Sequence, residues 1–357
     1  MSSKALIAMS GGVDSSVAAY LTKQAGYETS GVTMRLYECN TDISADAPVS
    51  YAQNDVEDAQ CIAKILNIPF YVLDFKEFFK EKVIDRFIQE YEKGATPNPC
   101  INCNKYIKFG LMYDFAYDME QDFMVTGHYA RIDFDTGSGR YLLKRASDEK
   151  KDQSYVLYSL SQKQLSKTLF PLGSINKTET REIAETQGFV NYRKRESQYI
   201  CFVTDGDYSK FIRENTGREY PVGNFIYKDG TVLGKHKGII CYTIGQRKGL
   251  GLALPHPVYV CEKDLTANTV ILGENKDLFT RNFKVKDMNW IACEQPTADM
   301  RAEVKIRYSH RANPARILPL GEGHIQVEFE EPQRAITKGQ AAVLYDGDTV
   351  IGGGTIL

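Results

Sequence analysis

The sequence predicts an α/β protein in three parts: a parallel-sheet domain over residues 1–205, a small β-rich central domain over 206–278, and a C-terminal β-barrel over 279–357. Three observations predict it. Strand and helix signals alternate through the first half, from KALIAM and VDSSVAAYLTKQAG to ETSGVTM, DVEDAQCIAKILN and IPFYVLDF, the order that a helix-covered parallel sheet requires. After about residue 205 short strands with turn glycines take over, and the last stretch holds the closely spaced strands of a small barrel. At roughly 100 to 200 residues per domain, a chain of 357 residues has room for these units.

Each element has its own signal. KALIAM is an apolar core strand that ends at SGG. FKEFFKEKVIDRFIQEYEKG is a charged amphipathic helix stopped at Gly94. In ATPNPCINCN two prolines and three asparagines oppose a regular element, so an ordered loop is expected between helices. KYIKFGLMYDFAYDME is the next helix, and FMVTGHYARI the strand after it. The strand ends at SGG, near Met34, and at Gly127 and His128 should meet in one crevice, because ligands of open parallel sheets sit beyond the carboxyl ends of the strands. INKTETREIAETQGF is a helix with Asn176 as its cap, Glu179 completing a capping box, and Gly188 as its stop. NFIYKDGTVLG, KGIICYTIG, HPVYVCEKD and TVILG supply short strands to the centre; AEVKIRY, RILPL, HIQVEF and AAVLYDG supply the barrel.

Composition narrows the classes of function. A formal net charge of −2 gives no overall attraction to nucleic acid, so RNA binding would need local basic patches. No secretion signal and no apolar run of about 18 residues is present, which predicts a cytosolic protein without a membrane partner. The 8 cysteines are therefore read as thiols. Cys39, Cys61, Cys241, Cys261 and Cys293 stand singly and read as small core residues.

The loop SGGVDSS carries the first chemistry. A glycine pair between a buried strand and a helix leaves backbone amides facing outward at the helix N-terminus, where they favour a polyphosphate. Ser10, Ser15 and Ser16 add hydroxyls, and Asp14 could hold Mg2+ among the phosphates. The lysine of a GxxxxGK[ST] loop is missing, which argues against γ-phosphate transfer. A strand followed by SGGxDS resembles the signature of the N-type ATP pyrophosphatases, which fold as adenine-nucleotide α-hydrolase-like domains and cleave ATP between its α and β phosphates to adenylate an oxygen.

Cys100 and Cys103 form a CxxC within TPNPCINCN. Its spacing alone leaves a redox or nucleophilic pair, a metal site, or a structural role open, though no second CxxC exists to complete a structural zinc site. The ordered set SGGVDSS, TPNPCINCNKYIKFG, TGHYAR, KDQSYVL, SQYICF and YTIGQRKGLG is similar to the bacterial tRNA-specific 2-thiouridylases over nearly the whole chain. That resemblance implies ATP-dependent 2-thiolation of the wobble uridine of tRNA, in tRNAs for lysine, glutamate and glutamine. It implies a persulfide on Cys201, Cys103 as the partner nucleophile, and a cysteine desulfurase or sulfur-relay protein as donor.

The resemblance also places the nucleotide at Ala8, Met9, Ser10, Gly11, Gly12, Val13, Asp14, Ser15, Met34 and Gly127. Asn98, Pro99 and Cys100 would contact the target base, and His128, Lys151, Asp152, Gln153, Arg307, Tyr308 and Gln340 the rest of the tRNA. Two departures stand out: Cys100 replaces an aspartate of well-known family members, and Glu196 and Tyr199 alter the stretch before ICF. With Cys100, three thiols could approach one another and hold an iron-sulfur cluster, a further alternative.

Independently of the resemblance, basic residues cluster at Arg193 to Arg195, Lys235 to Lys237, Arg247 and Lys248, and Lys305 to Arg311, which suits phosphate contact. Two rival functions remain: an amide-forming synthetase of the same superfamily, and a non-catalytic nucleotide- and RNA-binding protein with a structural metal.

Overall fold

The computed structural model describes residues 2–37, 51–194 and 200–357, with the backbone alone for 51–54. Cys39, Arg195, Glu196 and Tyr199 lie outside the described residues. The N-terminal part carries β1 (Lys4–Ala8), β2 (Glu28–Arg35), β3 (Phe70–Asp74), β4 (Phe123–Thr126), β5 (Ala130–Asp135), β6 (Arg140–Arg145) and β7 (Thr168–Leu169). Five of these form one sheet in the order β3-β2-β1-β4-β7. Every pair in it is parallel.

Parallel strands need crossover connections, and the sequence provides helices for them: α1 (Val13–Gln24), α2 (Tyr51–Ile65), α3 over 76–92 and α4 over 99–118; α5 (Lys177–Thr186) follows β7 and packs against α1. Neighbouring residues of β1 face opposite ways. Ala5 and Ile7 join Val17, Ile62 and Val125 in one core, whereas Leu6 joins Val32, Phe109 and Met124 in another. Both faces are thus covered, which is why β1 reads as a continuous apolar run. The outcome for function is geometric: the ends of β1, β2 and β4 share one edge of the sheet, as the sequence predicts.

Four strands, Tyr259–Asp264, Thr269–Gly273, Gly223–Tyr227 and Val232–His236, pair in that order to build the middle sheet around Phe225, Val260 and Leu272. The last part is a closed barrel of six strands, sealed where Phe279–Trp290 pairs with Thr349–Ile356. The hairpin β5–β6 extends that barrel: Lys144 pairs with Thr349, and Arg131 makes a 2.7 Å ion pair with Asp348. Residues of the nucleotide-type domain are therefore stitched onto the barrel wall.

Two expectations are corrected. Only the first four residues of ATPNPCINCN, 95–98, are loop, because Pro99–Asn102 already begins α4. Asn98 caps it by accepting the Cys100 amide at 3.1 Å, and Pro99 occupies the first helical position, where a missing N–H costs nothing. In KGIICYTIG, Ile239–Cys241 is a single tight helical turn rather than a strand, following Gly238 in a backbone conformation at φ +108°. Among the described residues, no helix is long and apolar enough to cross a membrane.

Candidate active site

The loop after β1 is held in shape by its own side chains. The Ser10 amide donates to Ser15 Oγ at 3.1 Å, and the Ser15 and Ser16 hydroxyls each donate to the Gly12 carbonyl at 3.0 Å. Gly12 caps α1 in an extended conformation with no side chain over the helix end, so the first amides of α1 have no intrachain side-chain cap. Gly11 has φ +71°, and a Cβ there would collide with the Asp55 carbonyl. Gly127, at the end of β4, comes so close to the same helix end that a Cβ would sit 2.7 Å from the Ser15 amide nitrogen.

The structure gathers the predicted nucleotide residues around this edge, in different ways. Met9 and Val13 are buried, so they would offer backbone rather than side chain; Ser10 is exposed. Ala8 and Met34 are half-buried at the ends of β1 and β2. Asp14 Oδ1 accepts both from Lys177 Nζ at 2.6 Å and from the Tyr129 hydroxyl at 2.9 Å. Behind the loop, Asn191 Nδ2 donates to the Gly11 carbonyl at 3.0 Å and to Ser16 Oγ at 2.9 Å. Lys194 Nζ reaches Asp55 and Asp58, each at 2.6 Å. Burial raises the Asp55 carboxyl, and Lys194 partly offsets that.

Lys177, Tyr129, Asn191 and Lys194 were invisible to motif reading. Lys194, in the basic run expected on phosphate, is half-buried and pairs with Asp55 and Asp58 behind the loop. Arg193, its neighbour, stays exposed over the ring of Tyr192.

The thiols form the second half of the site. Cys100 and Cys201 are reached by solvent, yet protein surrounds them closely enough to disfavour their anions. Burial pushes Cys103 up to about 11 against the opposing charge of Lys108, with Cys100 adding a little. Burial, then Cys103 and Cys100, push Cys201 up to about 12, again opposed by Lys108. Geometry places the thiols together: Cys100 and Cys103 lie one turn apart at the start of α4, and Cys103 packs in the same apolar cluster as Ile200 and Phe202, the two neighbours of Cys201. All cysteines among the described residues are free. No group of three or more His, Cys, Asp or Glu among the described residues is placed to hold a metal ion, so the donor set for an iron-sulfur cluster is not assembled.

His128 connects the halves. Its ring is buried against Phe109 and Phe170. Nδ1 lies 2.7 Å from Thr126 Oγ1, and Nε2 lies 3.5 Å from Lys108 Nζ. Burial, followed by Lys108, holds its pKa well below the ordinary histidine value, so the ring is neutral. Since Lys108 can only donate, Nε2 accepts and Nδ1 carries the proton toward Thr126. Gly127 touches the start of α1 while the adjacent His128 touches Lys108, so two consecutive residues link the nucleotide loop to α4, the helix that carries Cys100 and Cys103.

The residues expected on RNA sort into two groups. Arg307, Tyr308 and Gln340, far apart from Asn98 in sequence, line one hollow of about 250 Å3 together with Thr96, Thr243 and Thr337. Gln340 Nε2 donates to the Thr96 carbonyl at 2.7 Å, which fixes the barrel beside the start of α4. Arg307 donates to the carbonyls of Ile244 and Ala335, while its Nε is buried without a partner. Asp152 differs: its carboxylate is buried and accepts from the amides of Ala146 and Ser154 and from the Ser154 hydroxyl. Gln153 Oε1 accepts the Tyr129 amide at 2.9 Å, and Lys151 is half-buried. Lys235, Lys237, Arg247 and Lys248 are exposed.

Comparison with known proteins agrees with this organisation. The family model described as the tRNA methyl transferase HUP domain matches residues 3–205, the one described as the tRNA methyl transferase PRC-barrel domain matches 209–274, and the aminomethyltransferase beta-barrel domain matches 280–356. The tRNA-specific 2-thiouridylase MnmA of Clostridioides difficile (strain 630) is 49% identical over 100% of this chain and 98% of its own length. That of Clostridium acetobutylicum is 47% identical over 100% of both chains, and MnmA 1 of Thermoanaerobacter sp. (strain X514) is 48% identical over 99% of this chain and 97% of its own. At this identity over the whole length, the chain belongs to the family of the tRNA-specific 2-thiouridylases.

Proposed function

We propose that the protein is a cytoplasmic tRNA-uridine 2-sulfurtransferase that adenylates the 2-oxygen of a wobble uridine with ATP and replaces it with sulfur from a persulfide on Cys201. The observation that carries this reading is the adjacency of Gly127 and His128, which abut the uncapped helix end of SGGVDSS on one side and Lys108, on the helix of Cys100 and Cys103, on the other. Adenylation chemistry and sulfur chemistry need to share one crevice, because the activated carbon must meet sulfur before water does.

The uridine oxygen attacks the α-phosphorus of ATP and pyrophosphate leaves, its charge met by the first amides of α1 and by Ser10. Asp14 would hold a magnesium ion, which would neutralise charge on the departing phosphates. The outer sulfur of the Cys201 persulfide attacks the activated carbon, and AMP leaves with the former 2-oxygen. The Cys103 thiolate then attacks Cys201 Sγ; the bond to the outer sulfur breaks, its electron pair stays on that sulfur as the 2-thio group, and a Cys103–Cys201 disulfide forms. A dithiol reductant returns both thiols, and a cysteine desulfurase or sulfur-relay protein reloads Cys201.

The wobble base, unstacked from the anticodon, would reach Asn98, Pro99 and Cys100, with the hollow at Arg307, Tyr308 and Gln340 receiving a neighbouring part of the tRNA. Lysine, glutamate and glutamine tRNAs are the expected substrates. The units 1–205, 206–278 and 279–357 then divide the work into activation and sulfur transfer, RNA contact, and RNA contact with support of the α4 start. Of the rival readings, an amide-forming synthetase gives Cys103 and Cys201 no role, and a non-catalytic binding protein would use them as ligands of a structural metal, for which the described residues assemble no donor set. The test is to incubate protein, unmodified tRNA and labelled ATP. Pyrophosphate and AMP should appear only when tRNA is present; no pyrophosphate with any tRNA would reject the reading.

A further inference from the structure

We infer that Lys108 is the counter-charge for the sulfur anions of this site, and that His128 is the positioning residue that aims it. The inference rests on the proposed sulfur transfer for its purpose, but its evidence is local geometry. Lys108 lies five residues after Cys103. On a regular α-helix that spacing would turn it about 140° away from the thiol. The stretch Cys103–Leu111, however, is wound with i to i+5 hydrogen bonding, which brings positions five apart back to one face. The local widening is therefore what sets an ammonium beside the cysteine cluster, and such widened turns occur mostly where function requires them.

The ammonium is also aimed. Lys108 Nζ lies 3.5 Å from His128 Nε2, and the ring itself is fixed by Thr126 and by packing against Phe109 and Phe170. A charged histidine there would repel the lysine; burial keeps it neutral and able to accept. The titratable groups facing Lys108 are Cys100, Cys103, Cys201 and His128. Among the described residues no carboxylate acts on any of the four, and Lys108 is the charge there that opposes the effect of burial on all three thiols.

The test reads the thiols directly. Alkylation of Cys103 and Cys201 by iodoacetamide is followed by peptide mass spectrometry from about pH 7 to 10, with Cys261 of the middle sheet as internal reference. Lys108→Met should slow alkylation of both by roughly tenfold at pH 8, equal to a displacement of one pH unit, while Cys261 and the thermal midpoint stay unchanged. Lys108→Arg should restore most of the rate. His128→Leu, which keeps the apolar packing, should give an intermediate slowing. Profiles of Lys108→Met and His128→Leu that superimpose on that of the parent protein would overturn the inference. Should Lys108→Met unfold, the pair Lys108→Arg and His128→Leu decides in the same way. Because no tRNA is used, failure of the thiolation assay and failure of this one are separate results.

Discussion

Lys177 Nζ lies 2.6 Å from Asp14 Oδ1, joining the first residue of α5 to the first turn of α1. The lysine side chain is largely buried and the aspartate about one-third exposed. Losing one partner of such a pair leaves a charge poorly solvated, whereas losing both does not.

Lys177→Met should therefore lower stability by roughly 1–3 kcal/mol, discounted from the fully buried case for the exposure of Asp14. The double variant Lys177→Met with Asp14→Asn should cost less than the sum of the single changes. Denaturant midpoints for the four proteins check it; strict additivity would mean that the pair is not coupled.

Gly127→Ala should fold with a loss of about 1–3 kcal/mol, since its Cβ meets backbone that cannot swing aside. More specifically, it should push the start of α1 out of place and weaken ATP binding by at least about tenfold, equal to 1.4 kcal/mol. Titration calorimetry with a non-hydrolysable ATP analogue reads this. Unchanged affinity would separate Gly127 from the nucleotide.

Cys201→Ser should still release pyrophosphate when tRNA is added, but leave the tRNA without thiolated base. Thiolated base from that variant, under a persulfide-donating system, would show that Cys201 is not the sulfur carrier. Cys103→Ser should stall after attack, trapping a tRNA–protein adduct through the Cys201 sulfur that thiol reductant releases.

The buried neutral His128 makes stability depend on pH in a defined direction. Its folded pKa is depressed, so below the ordinary value near 6.5 the unfolded chain binds a proton that the folded one refuses. Stability from this group is intact above pH 6.5 and falls by roughly 1.4 kcal/mol per pH unit beneath it. Urea unfolding of the parent and of His128→Leu at about pH 7.5 and 5 should show a smaller acid loss in the variant; equal losses would contradict it.

What the sequence made legible follows from which interactions are local. SGGVDSS is legible because a strand, two glycines and a helix start are contiguous, and Asn176 and Glu179 are legible because a capping box spans one turn. The barrel closure is less so. Gly352, Gly353 and Gly354 run inside a strand, where Asn289, Tyr158 and Lys286 from elsewhere in the chain approach too closely for a Cβ. Lys194 and Asn191 serve a loop some 180 residues away, and nothing local announces that. Lys108 escaped for a sharper reason: a period of 3.6 places it on the wrong face, and only the widened turn corrects it.

The central claim is replacement of a wobble uridine oxygen by sulfur. Nucleoside mass spectrometry of unmodified tRNA, before and after incubation with the protein, ATP and a persulfide donor, tests it most directly. The account predicts 2-thiouridine formed in step with AMP and absent without ATP. Stoichiometric AMP release with every uridine left unthiolated would contradict it.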